Sequence, residues 1–206
     1  MIAVVDFGSG NTRSVLRALD AVGAEARLVA TAEGIDAAER LVLPGVGAAP
    51  SAVEALMARG LWEPVRRWGM DERPMLGLCL GAQLLLEGSD EGDAPGLGLV
   101  SGRSRAFPSM AEGGPRQVPH IGWNEVRTAS GAFDAYFVHG YWLDADRSSV
   151  AGWTDVDGFR FPSLLRSGSL TGTQFHPEKS GPTGRALLAA FAAGVLDARR
   201  QAVTWS

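Results

Sequence analysis

The chain predicts an α/β fold: a single doubly wound domain, residues 1–206, whose sheet is mostly parallel with an antiparallel edge. Two observations lead there. In the first half, short apolar runs alternate with segments of helical period, the pattern of parallel strands joined by helical crossovers. In the second half the apolar pieces shrink to strand length between turns, and one amphipathic segment closes the chain. Composition agrees. The 206 residues suffice for a substantial core, and 46% hydrophobic with 20% charged residues excludes a disordered chain.

The elements follow in order. Ile2–Val5 reads as a buried strand, followed by the Gly-rich turn of DFGSGN. Asn11 or Thr12 is placed to cap a helix whose apolar positions Val15, Leu16, Leu19 and Val22 recur at helical spacing, and Gly23 ends it. EARLVA (25–30) and RLVLPG (40–45) are two further strands. Residues 49–60 and 61–69 are helical, with Gly60 and Gly69 as stops. RPMLGLC (73–79) is again a strand and AQLLLEG (82–88) a helix. Then come the strand-like pieces 96–107, 121–126, 135–142, 150–154, 162–169 and 170–175, and the closing helix TGRALLAAFAAGVL (183–196). SMAEGGPRQ (109–117) is expected to be a mobile loop.

Charge and cysteine content narrow the classes. A net charge of −4 provides no attraction for nucleic acid or an anionic membrane. The N-terminal apolar run is short and has no basic residues before it, so no leader is expected, and no stretch approaches the ~18 apolar residues of a span. A single cysteine, Cys79, allows no intrachain disulfide and fits a reducing cytoplasm.

Cys79 stands in Gly-Leu-Cys-Leu-Gly, where a strand gives way to a helix. A nucleophile elbow has this form: the nucleophile takes strained backbone geometry, and Gly77 and Gly81 let strand and helix close around it. A helix N-terminus beside the thiol favours the thiolate. A cysteine nucleophile needs a base, usually histidine. Of His120, His139 and His176, only His176 has a carboxylate two residues on, Glu178. Pro177 biases the residue before it toward extended geometry, so His176 and Glu178 are expected to share one face of an extended segment, as a base and its orienting acid. His139 is expected at a strand end lining a pocket, and His120 in a loop. The Pro44-Gly45-Val46-Gly47 turn follows a strand and exposes backbone N–H groups where an oxyanion could sit.

Taken together, PGVG, GLCLGAQ and FHPE resemble the class I (triad-type) glutamine amidotransferases, in the family's order and across essentially the whole chain. Within that family DFGSGNTRSV, PHIGWNEV and QFHPEKSG resemble the glutaminase subunits of imidazole glycerol phosphate synthases. The resemblance implies a flavodoxin-like fold, Cys79 as nucleophile, His176 as general acid/base and Glu178 as its orienter. It implies Gly47 and Leu80 as oxyanion donors. Gln83, Glu91, Tyr136, His139, Gly140 and Tyr141 would form the glutamine site, with Glu91 on the α-ammonium. It implies no metal or cofactor. It also implies a (β/α)₈-barrel cyclase partner in a heterodimer, faced by Asn11, Trp123 and Lys179. Two departures stand out: Gly140 where many members carry serine, and GAAPSA after the glycine turn where a phenylalanine and a glycine often follow. The alternatives left open are another stand-alone glutaminase subunit of the family, as in pyridoxal phosphate or anthranilate synthesis, a peptidase-like cysteine hydrolase, and a non-catalytic module.

Overall fold

The computed structural model describes residues 1–8, 10–111 and 114–196. Strands β1 (Ile2–Val5), β2 (Ala26–Val29), β3 (Arg40–Leu43) and β4 (Met75–Leu78) alternate with α1 (Thr12–Asp20), α2 (Ala32–Asp36), α3 (Ala49–Ala58) and α4 (Trp62–Met70). After β4 come the one-turn α5 (Leu80–Leu84) and the short strands β5 (Gly88–Ser89), β6 (Gly102–Ala106), β7 (Met110–Ala111) and β8 (Gly114–Pro115). The rest of the chain holds β9 (His120–Thr128), β10 (Gly131–His139), β11 (Tyr141–Ala145), β12 (Val150–Val156), β13 (Phe159–Ser167), β14 (Leu170–Thr173) and α6 (Gly181–Ala192).

Nine strands form one sheet in the order β10-β9-β12-β13-β14-β4-β3-β1-β2. From β14 to β2 all neighbours are parallel; from β10 to β14 all are antiparallel. A second sheet, β11-β6-β5, flanks the first. The inner parallel strands β1, β3 and β4 read as continuous apolar runs because both their faces are covered. In β1, Ala3 and Val5 enter one core cluster with α3 and α4, while Ile2 and Val4 enter the other with α1 and α6. This is the doubly wound arrangement. No helix among the described residues is long and apolar enough to cross a membrane.

Several local expectations change. α2 and β5 carried no signal of their own. The strand expected over 96–107 begins only at Gly102, because the N–H groups of Leu97, Gly98, Leu99 and Val100 turn back onto the carbonyls of Leu84, Leu86 and Leu85. A five-residue helix leaves most of its carbonyls unpaired, and this loop satisfies those at its end. The segment 109–117 forms the small hairpin β7–β8 rather than an open loop; residues 112 and 113 of that expectation, like Ser9 of the N-terminal turn, lie outside the described residues. Residues 135–142 break at Gly140, where the chain leaves the large sheet for the small one. Asn11 occupies the α1 cap position but makes no side-chain cap.

Candidate active site

The site grows from three adjacent parallel strands. β4 lies between β14 and β3, with Thr173 opposite Leu78 and Leu43 opposite Gly77. Parallel strands end on the same rim, so the PGVG turn after β3, Cys79 after β4 and His176 after β14 all emerge together. Cys79 has φ +50° and ψ −104°, a strained conformation for a residue with a side chain. It is held by its own N–H on Thr173 O at 2.7 Å and by the N–H groups of Ala82 and Gln83 on its carbonyl. The flanking glycines are sterically required. A Cβ on Gly81 would sit 1.9 Å from Leu43 O, and one on Gly77 2.8 Å from Gly81 O. The elbow expected at Cys79 is present.

His176 hangs from β10, its N–H donating to Tyr136 O at 2.9 Å. Residues Pro177–Lys179 make a 3₁₀ turn, not the extended segment expected. The turn begins at proline, whose fixed φ and missing N–H suit a first helical position. It folds Glu178 back so that Oε1 accepts from His176 Nδ1–H at 2.7 Å, with both side chains fully buried. The same Oε1 accepts from Asn11 Nδ2 at 3.0 Å, which is what Asn11 does instead of capping α1. Burial by itself would push the imidazole down, but Cys79 and Glu178 outweigh it and hold His176 up at about 9. The pair Cys79–His176 is poised and not closed: Nε2 is buried without a hydrogen-bond partner, while the sulfur faces Val138 O at 3.8 Å and Gln174 Nε2 at 3.6 Å. The Cys79 sulfur thus acts on the imidazole as a neighbour, without a formed hydrogen bond.

Cys79 and His176 open into one cavity of about 400 Å³, together with Val46, Gly47, Leu80, Gln83, Glu91, Pro119, Val138, His139, Gly140, Tyr141 and Lys179. Gly47 has φ +96°, a backbone that favours glycine and tolerates peptide reorientation. Glu91 Oε2 accepts from Ala49 N at 2.7 Å, tying the cavity rim to the start of α3. Tyr136 does not line the cavity. Its carbonyl holds His176, and its ring faces Trp123, 6.0 Å away, and the Lys179 ammonium, 5.8 Å away. Asn11 is buried behind Glu178, and Trp123 is 58% exposed. Among the described residues, no three His, Cys, Asp or Glu side chains are grouped as a metal would require.

His120 is not in a loop but begins β9, buried, with Nδ1 2.9 Å from His139 Nε2. It packs among Phe107, Phe137 and Phe161. Burial lowers its basicity, and burial with the neighbouring imidazoles of His120 and His176 pushes His139 down to about 3. His139 lines the cavity and is neutral at pH 7; His120, packed behind it, is less basic than an ordinary histidine. One feature escaped the sequence reading: Gln174, wholly buried against the sulfur, stands two residues before His176 on the same alternating face. Lys179, expected at the partner face, is the only lysine among the 19 basic residues.

Comparison with known proteins places the chain in a family. The family model Glutamine amidotransferase class-I matches residues 3–195. A relative from Streptococcus sanguinis, described as imidazole glycerol phosphate synthase subunit HisH, is 44% identical over 200 residues, covering 93% of this chain and 95% of its own. One from Xanthomonas campestris pv. campestris with the same description is 42% identical over 200 residues, covering 92% and 96%. Among solved structures, one described as a glutamine amidotransferase superposes with a TM-score of 0.74 at 21% identity, covering 93% of this chain and 98% of that one. PurLQS from Thermotoga maritima gives 0.70 at 17%, covering 95% and 98%.

Proposed function

The chain belongs to the glutamine amidotransferase class-I family and is a glutaminase subunit of the imidazole glycerol phosphate synthase type; we propose that Cys79, His176 and Glu178 perform its amide hydrolysis. The observation that carries this reading is the buried His176 imidazole, bonded at Nδ1 to Glu178 and left without a partner at Nε2, beside the cavity that Cys79 also lines.

The chemistry follows from those positions. The imidazole, held up at about 9, carries a proton at neutral pH, and a cysteine attacks as its thiolate. The thiolate attacks the side-chain carbonyl of glutamine, and the carbonyl electron pair moves to oxygen. Gly47 and Leu80 are the N–H donors we assign to that oxygen. Collapse breaks the C–N bond, with the His176 proton going to the leaving ammonia. His176, now neutral, takes a proton from water, whose oxygen attacks the thioester. The second collapse breaks the C–S bond, and glutamate leaves. Glu178 keeps the Nδ1–H tautomer and stabilises the imidazolium in both halves. Gln83, Glu91, His139, Gly140 and Tyr141 surround the space for the substrate. Glu91 uses Oε2 on Ala49 N, which leaves Oε1 for the α-ammonium.

The partner is, in this reading, a (β/α)₈ cyclase that consumes the ammonia. Trp123 and Lys179 lie on the side where it would dock, with Asn11 behind Glu178. The lone thiol suits a reducing, cytoplasmic setting. The test measures ammonia release by the chain alone, with the cyclase, and with cyclase plus its ligand. In this reading release is gated: the Pro44–Gly47 turn must present an N–H inward, docking of the liganded cyclase brings that about, and release should rise at each step, one oxyanion donor being worth roughly 10²–10³ in turnover. Cys79→Ala should abolish glutamine-dependent synthesis and leave ammonia-dependent synthesis intact. Loss of both would remove the assignment, and equal release in all three mixtures would remove the gating.

A further inference from the structure

Gln174 follows β14, two residues before His176, so both face the cavity side while Phe175 turns into the apolar core. Its side chain is wholly buried. A buried amide costs free energy unless its polar atoms are paired. Here both ends are paired inside the site. Oε1 accepts from Gln83 Nε2 at 3.4 Å, and Nε2 donates to Cys79 Sγ at 3.6 Å.

The orientation of this amide follows from one backbone group, the Tyr141 carbonyl. A carbonyl only accepts. Gln83 must therefore turn its NH₂ toward Tyr141 O, 3.3 Å away. The second hydrogen of that NH₂ faces Gln174, which has to present Oε1. The other end of Gln174, its own NH₂, is left facing the sulfur. The second lone pair of Tyr141 O takes His139 Nδ1–H at 2.8 Å. That sets the His139 tautomer, whose Nε2 then accepts from His120 Nδ1–H. One carbonyl thus aligns Gln83, Gln174, His139 and His120, and the alignment ends in an N–H aimed at Cys79.

We propose that Gln174 is a further catalytic residue, whose side-chain NH₂ donates to the Cys79 sulfur when it carries charge and stabilises the thiolate both before attack and on its release. The proposal rests on Cys79 being the nucleophile. A neutral thiol is a weak acceptor, and its S–H points at Val138 O. Once ionised, the sulfur only accepts, and the Gln174 N–H becomes a charge-assisted donor. During attack the sulfur's electron pair forms the C–S bond and this interaction weakens. When water has added to the thioester, the C–S bond breaks, the pair returns to sulfur, and the interaction is restored. Gln174 thereby assists the leaving group of the second half-reaction.

The test uses Gln174→Met, which keeps length and apolar burial without the donor, and Gln174→Glu, which keeps the shape and puts oxygen at the sulfur. The first readout is alkylation of Cys79, the only thiol, by iodoacetamide between about pH 6 and 10 in the full chain, with folded protein counted by circular dichroism. Both variants should alkylate roughly 10- to 100-fold more slowly near neutral pH, the deficit closing in alkali. The second readout is glutamine hydrolysis with the synthase partner present. There kcat should fall by roughly 10- to 100-fold while KM stays within about threefold. A residue that merely fills space would leave the alkylation–pH curve of the folded variants where it was, and that result overturns the proposal. Should Gln174→Met not fold, the isosteric Gln174→Glu decides in the same way. If the wild-type complex releases no ammonia, the glutaminase reading falls, while the alkylation curve still decides whether Gln174 acts on the sulfur.

Discussion

Replacing Glu178 by glutamine keeps the size of the side chain and an oxygen for His176 Nδ1–H, and removes the charge. His176 is held at about 9 against an ordinary 6.5, a lift worth roughly 3 kcal/mol between its two protonation states. Burial opposes that lift, so Cys79 and Glu178 together supply more than it, and removing the carboxylate should take away at least about 1–2 kcal/mol. The sign follows from linkage. A group whose folded pKa is raised stabilises the fold fully below its unfolded value, near 6.5, and loses that contribution as pH rises through about 9. Urea unfolding of wild type and Glu178→Gln should therefore differ by at least about 1–2 kcal/mol more at pH 6 than at pH 10. The pH-independent part of the difference is free to take either sign, because Glu178 Oε2 is buried without a partner and its desolvation disappears with the charge. Groups that titrate alike in both proteins cancel. A gap of constant size from pH 6 to 10 would refute the reasoning, since it would mean that Glu178 does not stabilise the imidazolium. Glutamine turnover should fall at least about 10²-fold in the same variant, as general acid–base catalysis is lost.

Two further outcomes follow from the geometry. Cys79→Gly relieves a residue held at φ +50°, by about 1–3 kcal/mol before the lost side-chain packing is subtracted, and should show a higher urea midpoint than Cys79→Ala, which loses the thiol but keeps the Cβ, while turnover of glutamine ceases in both; a midpoint for Cys79→Gly below that of Cys79→Ala would show that the elbow is unstrained. Trp123→Ala removes a ring that is 58% exposed, so stability should change by less than about 0.5 kcal/mol, yet docking of the partner should weaken about tenfold or more. Protection of Lys179, the sole lysine, from an amine-acylating reagent would report that docking; unchanged protection in the variant would remove Trp123 from the interface.

The apolar runs of β1, β3 and β4 were legible because strands covered on both faces need continuous hydrophobicity, and the helices α1, α3, α4 and α6 because a half-buried helix carries its period in the sequence. The elbow was legible through its two glycines, which obey a steric rule confined to a few residues. What could not be read locally was of two kinds. Elements of two to five residues, such as β5 and α2, are too short to show a period. Residues such as His120, in a segment of mixed polarity after a proline, are assigned by the aromatic cluster that forms around them and not by their neighbours in the chain. The His176–Glu178 pair was anticipated in its outcome while its backbone was not: a proline-initiated 3₁₀ turn joins two side chains that an extended segment was expected to align.

The sequence by itself determined which chemical groups this protein has available and where its backbone must bend: one thiol between glycines, a histidine two residues from a carboxylate, and a glycine turn after a strand. Those are local properties, set by sterics and by the chemistry of single side chains. Only the tertiary structure decided that β3, β4 and β14 lie side by side and parallel, so that segments separated by about a hundred residues end on one rim. It also decided that the Tyr141 carbonyl, reached where the chain crosses from one sheet to the other, orients the amides behind the sulfur. Strand order and hydrogen-bond polarity are settled by packing and pairing between distant segments, and no local pattern of residues carries them.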